Sequence, residues 1–101
     1  MKKFSVLWDE KAVSELKAIY DFIYNDSPSA AAKVRDELFR TTKDLKTMPR
    51  KFQVYAFADE LSGEYRSVVR WRYRIIYEVM KDAVHIVRII HTSKEPLKII
   101  L

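Results

Sequence analysis

Apolar residues change their spacing once along this chain, and the change divides it into a helical first half and an extended second half. Phe4-Ser5-Val6-Leu7-Trp8 is short, apolar and aromatic, which predicts a first strand. Asp9 follows as an N-cap candidate. Ala12, Leu16, Ile19, Tyr20 and Ile23 recur at i, i+4, i+7, i+8 and i+11, one face of a helix that Asn25-Asp26 ends. Ser27-Pro28 opens a second helix, with a capping hydroxyl and a proline at the first position. Its apolar face runs through Ala31, Val34, Leu38, Thr41, Thr42 and Leu45. Pro49 stops it and pushes Met48 out of the helical region. Helices of about 16 and about 20 residues on so short a link predict an antiparallel α-hairpin.

From Lys51 the period falls to two. Phe52, Val54, Tyr55 and Phe57 suggest a strand, and Asp59 to Gly63 is a loop. Glu64 to Trp71 reads as a strand with Tyr65, Ser67, Val69 and Trp71 opposite Arg66, Val68 and Arg70. Arg72 to Met80 repeats the scheme, with Tyr73, Ile75, Tyr77 and Val79 opposite Arg72, Arg74, Ile76 and Glu78. Lys81-Asp82 is a hairpin turn. Val84 to His91 is the last strand, with Val84, Ile86, Arg88 and Ile90 on one face. Thr92 to Pro96 is a polar exit, and Leu97 to Leu101 an apolar tail expected to pack on something. This order predicts an α+β fold: an N-terminal strand and an antiparallel α-hairpin packed on one face of a small, mainly antiparallel sheet. The opposite face is expected to be exposed and to carry the arginines. Tyr65, Trp71, Tyr73 and Tyr77, which alternate with them, are expected in the core.

Composition narrows the chemistry. The 101 residues are expected to form a single domain spanning 1–101. One glycine excludes phosphate-binding loops, which need several. The absence of cysteine excludes disulfides, thiolate metal sites and a cysteine nucleophile. A cytoplasmic location is expected: no apolar run reaches membrane-spanning length, and Asp9, Glu10 and Lys11 interrupt any leader-like stretch. His85 and His91 have no carboxylate at a ligand offset, so no metal and no cofactor are expected.

Charge is more informative. Residues 1–49 hold nine Lys/Arg against eight Asp/Glu, but residues 50–101 hold ten against six. Six of those ten are arginines: Arg50, Arg66, Arg70, Arg72, Arg74 and Arg88. Either they pair with carboxylates such as Glu64, Glu78 and Asp82, or they serve an anionic partner. Arg66, Arg70 and Arg74 fall on adjacent strands, with His91 and Lys94 at the end of the last one. Arginines holding a scissile phosphate, with a base taking the 2′-OH proton, would cleave RNA without a metal.

The run Glu64-Tyr65-Arg66-Ser67-Val68-Val69, then Tyr73-Arg74-Ile75-Ile76-Tyr77-Glu78-Val79, then Val84 to Pro96 resembles the RelE/ParE toxin superfamily. Val6-Leu7-Trp8, Lys11-Ala12 and Leu16 to Ile23 are similar to its first strand and helix, as are Ala31-Ala32 and Leu45…Pro49 to its second helix. The resemblance implies the toxin of a bacterial type II toxin–antitoxin pair, with a cognate antitoxin as partner. It also implies one of two targets: the ribosome with mRNA for RelE-like endoribonucleases, or DNA gyrase for ParE-like inhibitors. In the ribonuclease case the resemblance makes Arg70, Arg74 and His91 the catalytic residues. Arg66, Arg72 and Lys94 are the expected target contacts. The ending Ile-Ile-His-(x)₂-Lys-Glu-Pro is similar to the ParE side, and no further helix follows to carry a catalytic tyrosine. Gyrase is therefore the expected target. The alternatives are mRNA cleavage and a degenerate module that binds an antitoxin without toxicity.

Overall fold

The structure, a computed structural model, describes residues 2–56 and 63–94. Strand β1 (Ser5–Trp8) leads into helix α1 (Glu10–Tyr24), and helix α2 (Pro28–Lys43) follows. Strands β2 (Gln53–Val54), β3 (Glu64–Arg70), β4 (Tyr73–Val79) and β5 (Ala83–His91) complete the order. They form one five-stranded sheet in the order β1-β5-β4-β3-β2, antiparallel except for the β1–β5 pair.

Local chemistry sets the helix starts. The Asp9 carboxylate accepts the Lys11 N–H at 2.8 Å, and the Ser27 hydroxyl accepts that of Ala30 at 3.2 Å. Each satisfies a donor that the first helical turn cannot. Helix α2 ends earlier than its apolar spacing predicts. The hydroxyls of Thr41 and Thr42 donate back to the carbonyls of Glu37 and Phe39, and the chain tightens into a 3₁₀ turn at Asp44–Lys46. That turn still buries Leu45, so the stripe Ala31, Val34, Leu38 and Leu45 stays continuous.

The hairpin packs Val34, Leu38 and Leu45 of this stripe, with Ala12 of α1, onto Val68, Ile75, Tyr77, Val84, Ile86 and Ile89. The opposite face departs from expectation. Instead of an open basic surface it carries a second buried apolar group: Tyr55, Tyr65, Ile76, Val87 and Ile90. The arginines are divided between the two faces. Arg66 and Arg70 lie on the α-hairpin side with Val68, because residues two apart on a strand share a face. Arg74 lies on the other side, where its guanidinium donates to the Ser67 hydroxyl at 2.8 Å and stands over the Tyr55 ring.

Two backbone features break the simple alternation. Ile76 pairs with Arg88 but Tyr77 with Ile86, so one extra residue, Val87, is inserted in β5. This bulge reverses the parity beyond it. Ile89 therefore joins the face of Val84 and Ile86, and Ile90 joins Val87, opposite to the alternation read from sequence. The second feature is the β3–β4 turn. Arg70 pairs with Tyr73, which leaves Trp71-Arg72 as a two-residue hairpin turn rather than strand. Trp71 has φ 58°, a left-handed conformation that costs a residue with a Cβ roughly 1–2 kcal/mol. The residue is 51% exposed, not core. The expected strand at Phe52–Phe57 contracts to Gln53–Val54, with Phe57 and the apolar tail from Leu97 outside the described residues. Among those residues no helix is long and apolar enough to cross a membrane.

Candidate functional site at the hairpin end of the sheet

Antiparallel pairing places Arg70 opposite Tyr73 and Tyr73 opposite His91, a row across β3, β4 and β5. The row lies on the α-hairpin face at the end where β3 turns into β4. Trp71 and Arg72 form its tip, and the Arg72 carbonyl accepts the Thr92 N–H at 2.8 Å, so the turn Thr92–Lys94 is held against the tip. Sequence separation hides this gathering; cross-strand register creates it.

Each side chain is held differently. The Arg70 guanidinium stands over the Phe52 ring at 5.3 Å and donates to the Val69 carbonyl at 2.9 Å. It lines a cleft of about 240 Å³ with Glu37, Arg40, Thr41 and Asp44 of the α2 end. His91 meets Tyr73 edge-on at 5.4 Å, and its Nδ1 accepts the Ser93 N–H at 3.0 Å. A neutral His91 then carries its proton on Nε2, where it can donate but not accept. Burial pushes the Tyr73 phenol up, and the neighbouring Arg72 charge pulls it back part of the way. A second cleft of about 190 Å³ runs from Tyr73 and His91 past Lys94 to Glu15 and Arg88.

Trp71 is the residue sequence reasoning missed. Its indole N–H donates to the Glu37 carboxylate at 2.7 Å, and Lys33 sits over the ring at 5.7 Å. The only hint in the sequence is the double basic flank Arg70-Trp71-Arg72.

The remaining expected site residues lie elsewhere. Arg66 donates to Glu64 and to the Phe52 carbonyl, both at 2.7 Å, and Arg50 holds the other side of the same carboxylate at 3.0 Å. Glu64 is held below the usual carboxylate range, chiefly by the Arg66 hydrogen bond, against the opposing effect of burial and with help from Arg50. Of the proposed carboxylate partners, Glu64 takes Arg66, whereas Asp82 takes Lys2. Among the described residues no three His, Asp or Glu side chains gather as a metal site would require.

The family profile described as "ParE toxin of type II toxin-antitoxin system, parDE" matches residues 6–96. The chain belongs to this ParE toxin family. It is thus the toxin component of a type II toxin–antitoxin system, as its resemblance implied. Among solved structures it is similar to a chain of the chromosomal ParDE TA system from P. aeruginosa. The two share 25% identity with a TM-score of 0.70, over 88% of this chain and 96% of that one. No curated protein sequence matches it. The α-hairpin on a mixed five-stranded sheet is consistent with the ParE fold. At the β3–β4 tip this ParE-family chain carries a tryptophan between two arginines.

Proposed function

We propose that this toxin arrests growth by binding DNA gyrase, and that a cognate antitoxin neutralises it. The observation that carries the reading is the division of the cations by the sheet. A phosphoryl-transfer site needs its arginines and its proton acceptor around one scissile phosphate. Arg70 and His91 face the α-hairpin, whereas Arg74 faces away from it, beside Ser67 and Tyr55. His91 is also poorly placed as a base, because Ser93 occupies its Nδ1 lone pair. What the hairpin end offers is a cationic, aromatic contact surface, which suits inhibition by binding. The P. aeruginosa relative belongs to a ParDE toxin–antitoxin system, which supports an antitoxin partner here. The α-hairpin leaves Val13, Phe22 and Phe39 individually exposed, apolar side chains that such an antitoxin would cover in wrapping the helices.

Ribosome-dependent mRNA cleavage is the second reading, favoured by the Arg70–Tyr73–His91 row alone. The test sets a gyrase supercoiling assay beside a ribosome-programmed mRNA assay. Inhibition of supercoiling without mRNA cleavage is the expected result, with Arg72→Ala and Lys94→Ala weakening it gradually. Robust cleavage by the wild type, abolished by Arg74→Ala, would replace gyrase with the ribosome. Silence in both assays would favour a module that binds its antitoxin without toxicity.

A further inference from the structure

A two-residue hairpin turn favours Gly, Asn or Asp where φ is positive, because their small or locally bonding side chains tolerate that conformation. Here the position holds Trp71, the largest side chain available and among the least suited to φ 58°. Backbone strain of this kind persists only where the surroundings hold it, and it concentrates at sites that use it. Two contacts hold it here, the Glu37 carboxylate on the indole N–H and the Lys33 ammonium over the ring. They fix the indole's direction yet leave about half of the residue open, at 51% exposure. A tryptophan whose only task was to clasp the hairpin to α2 would bury its ring.

We infer that Trp71, flanked by Arg70 and Arg72, is the principal contact of this toxin with its target, inserted into an apolar slot rimmed by carboxylates on a protein. The inference rests on the gyrase reading and names the contact within it. Buried tryptophan and arginine anchors dominate the energetics of protein interfaces. The charge around the tip fits an acidic protein. Arg70 and Arg72 flank Trp71 in the chain, Lys33 of α2 stands over the indole, and Arg40 of α2 lines the cleft shared with Arg70. The Arg72 side chain has no hydrogen-bond or ion-pair partner among the described residues, so it is available to a carboxylate on another molecule. A nucleic-acid backbone fits less well. It is an unbroken row of negative charge that would pair with the arginines but offers the half-exposed indole no apolar slot.

Trp71→Asn tests this, because asparagine relieves the turn while removing the indole. The variant should melt at the same temperature or higher and bind its co-encoded antitoxin as the wild type does. It should lose growth arrest on induction, and inhibiting purified gyrase should need at least about tenfold more protein. Full growth arrest by the variant would overturn the inference. So would a fall in melting temperature that accounts for the lost arrest, since Trp71 would then be a structural clasp. Affinity lost for the antitoxin, or for a DNA duplex in place of gyrase, would assign the tip to another partner and also overturn it. The growth readout separates this inference from the reading beneath it. A wild type that arrests growth without inhibiting gyrase, beside a harmless Asn variant, would sink gyrase and keep the contact. A wild type that arrests no growth would overturn both.

Discussion

Two groups of arginines in the second half of the chain do different work. Arg88 and Arg66 are largely buried and each is locked to a carboxylate; Arg70 and Arg72, at the hairpin tip, have no carboxylate partner among the described residues. The Arg88 fork grips Glu15 through contacts of 2.8–3.1 Å, and the two side chains are only 17% and 22% exposed. Glu15 has a second task. Strand β1 pairs with β5 only as far as Ile86, so the edge of β5 beyond it lacks a strand partner. The Glu15 carboxylate fills that gap by accepting the Ile89 N–H at 3.0 Å. Arg66 likewise ties the segment around Phe52 to β3 through Glu64 and a carbonyl. The lesson is that a basic second half does not make a basic surface. Part of the excess charge is consumed in holding edges and crossings of the fold, and only the remainder faces outward.

The comparison predicts a graded series. Arg88→Ala should have the largest effect on stability, about 3 kcal/mol, because it strands a half-buried carboxylate as well as removing the pair. Thermal unfolding should fall by about 10 °C or more; a change within about 2 °C would show the lock to be idle. Tyr77→Phe comes next. The buried Tyr77 hydroxyl donates to the Pro49 carbonyl at 2.8 Å, and its loss should cost about 1–2 kcal/mol in urea unfolding.

Burial pushes the Tyr77 phenol up to about 12, with the Arg66 charge acting in the other direction. A raised folded-state pKa contributes stability that is full below the ordinary tyrosine range and is lost as pH climbs through about 12. Phenolate absorbance should therefore keep a component near pH 12, later than the other raised tyrosines, and Tyr77→Phe should delete that component. Glu64 gives the acid-side counterpart. Its depressed pKa contributes stability above the ordinary glutamate range, lost as pH falls through the folded-state value. Glu64→Gln should flatten the acid limb of a stability–pH curve. An unchanged limb would mean that the Arg50–Glu64–Arg66 bridge does not contribute. Smallest of all, Arg72→Ala should shift stability by no more than about 0.5 kcal/mol, since the side chain is exposed and unpaired.

Much of the fold was legible because single residues announced it. Asp9 and Ser27-Pro28 mark the helix starts, and the spacing from Ala31 to Leu45 marks the buried stripe. Three things were not legible. Val87 is an apolar residue in an apolar strand, so nothing in the sequence marks it as the bulged position that reverses parity. The β3–β4 turn carries neither Gly nor Asn, so Trp71 read as strand and core. The facing of Arg66, Arg70 and Arg74 followed from the turn, because pairing Arg70 with Tyr73 puts Arg74 on the opposite side, and from the second apolar group, which occupies the face that was expected to hold them. Residue identities at the site were therefore better foreseen than their company: Arg70 and His91 do share a row, but Arg74 belongs to the other side of the sheet.

The central claim is that the hairpin-tip arginines act outward while the carboxylate-locked ones hold the fold. The most direct measurement is growth arrest on induction of the Arg70→Ala/Arg72→Ala double variant, with the melting temperature taken on the same protein. Arrest should be lost or strongly weakened while melting moves by no more than about 5 °C. Arrest at wild-type strength from a folded double variant would contradict the account.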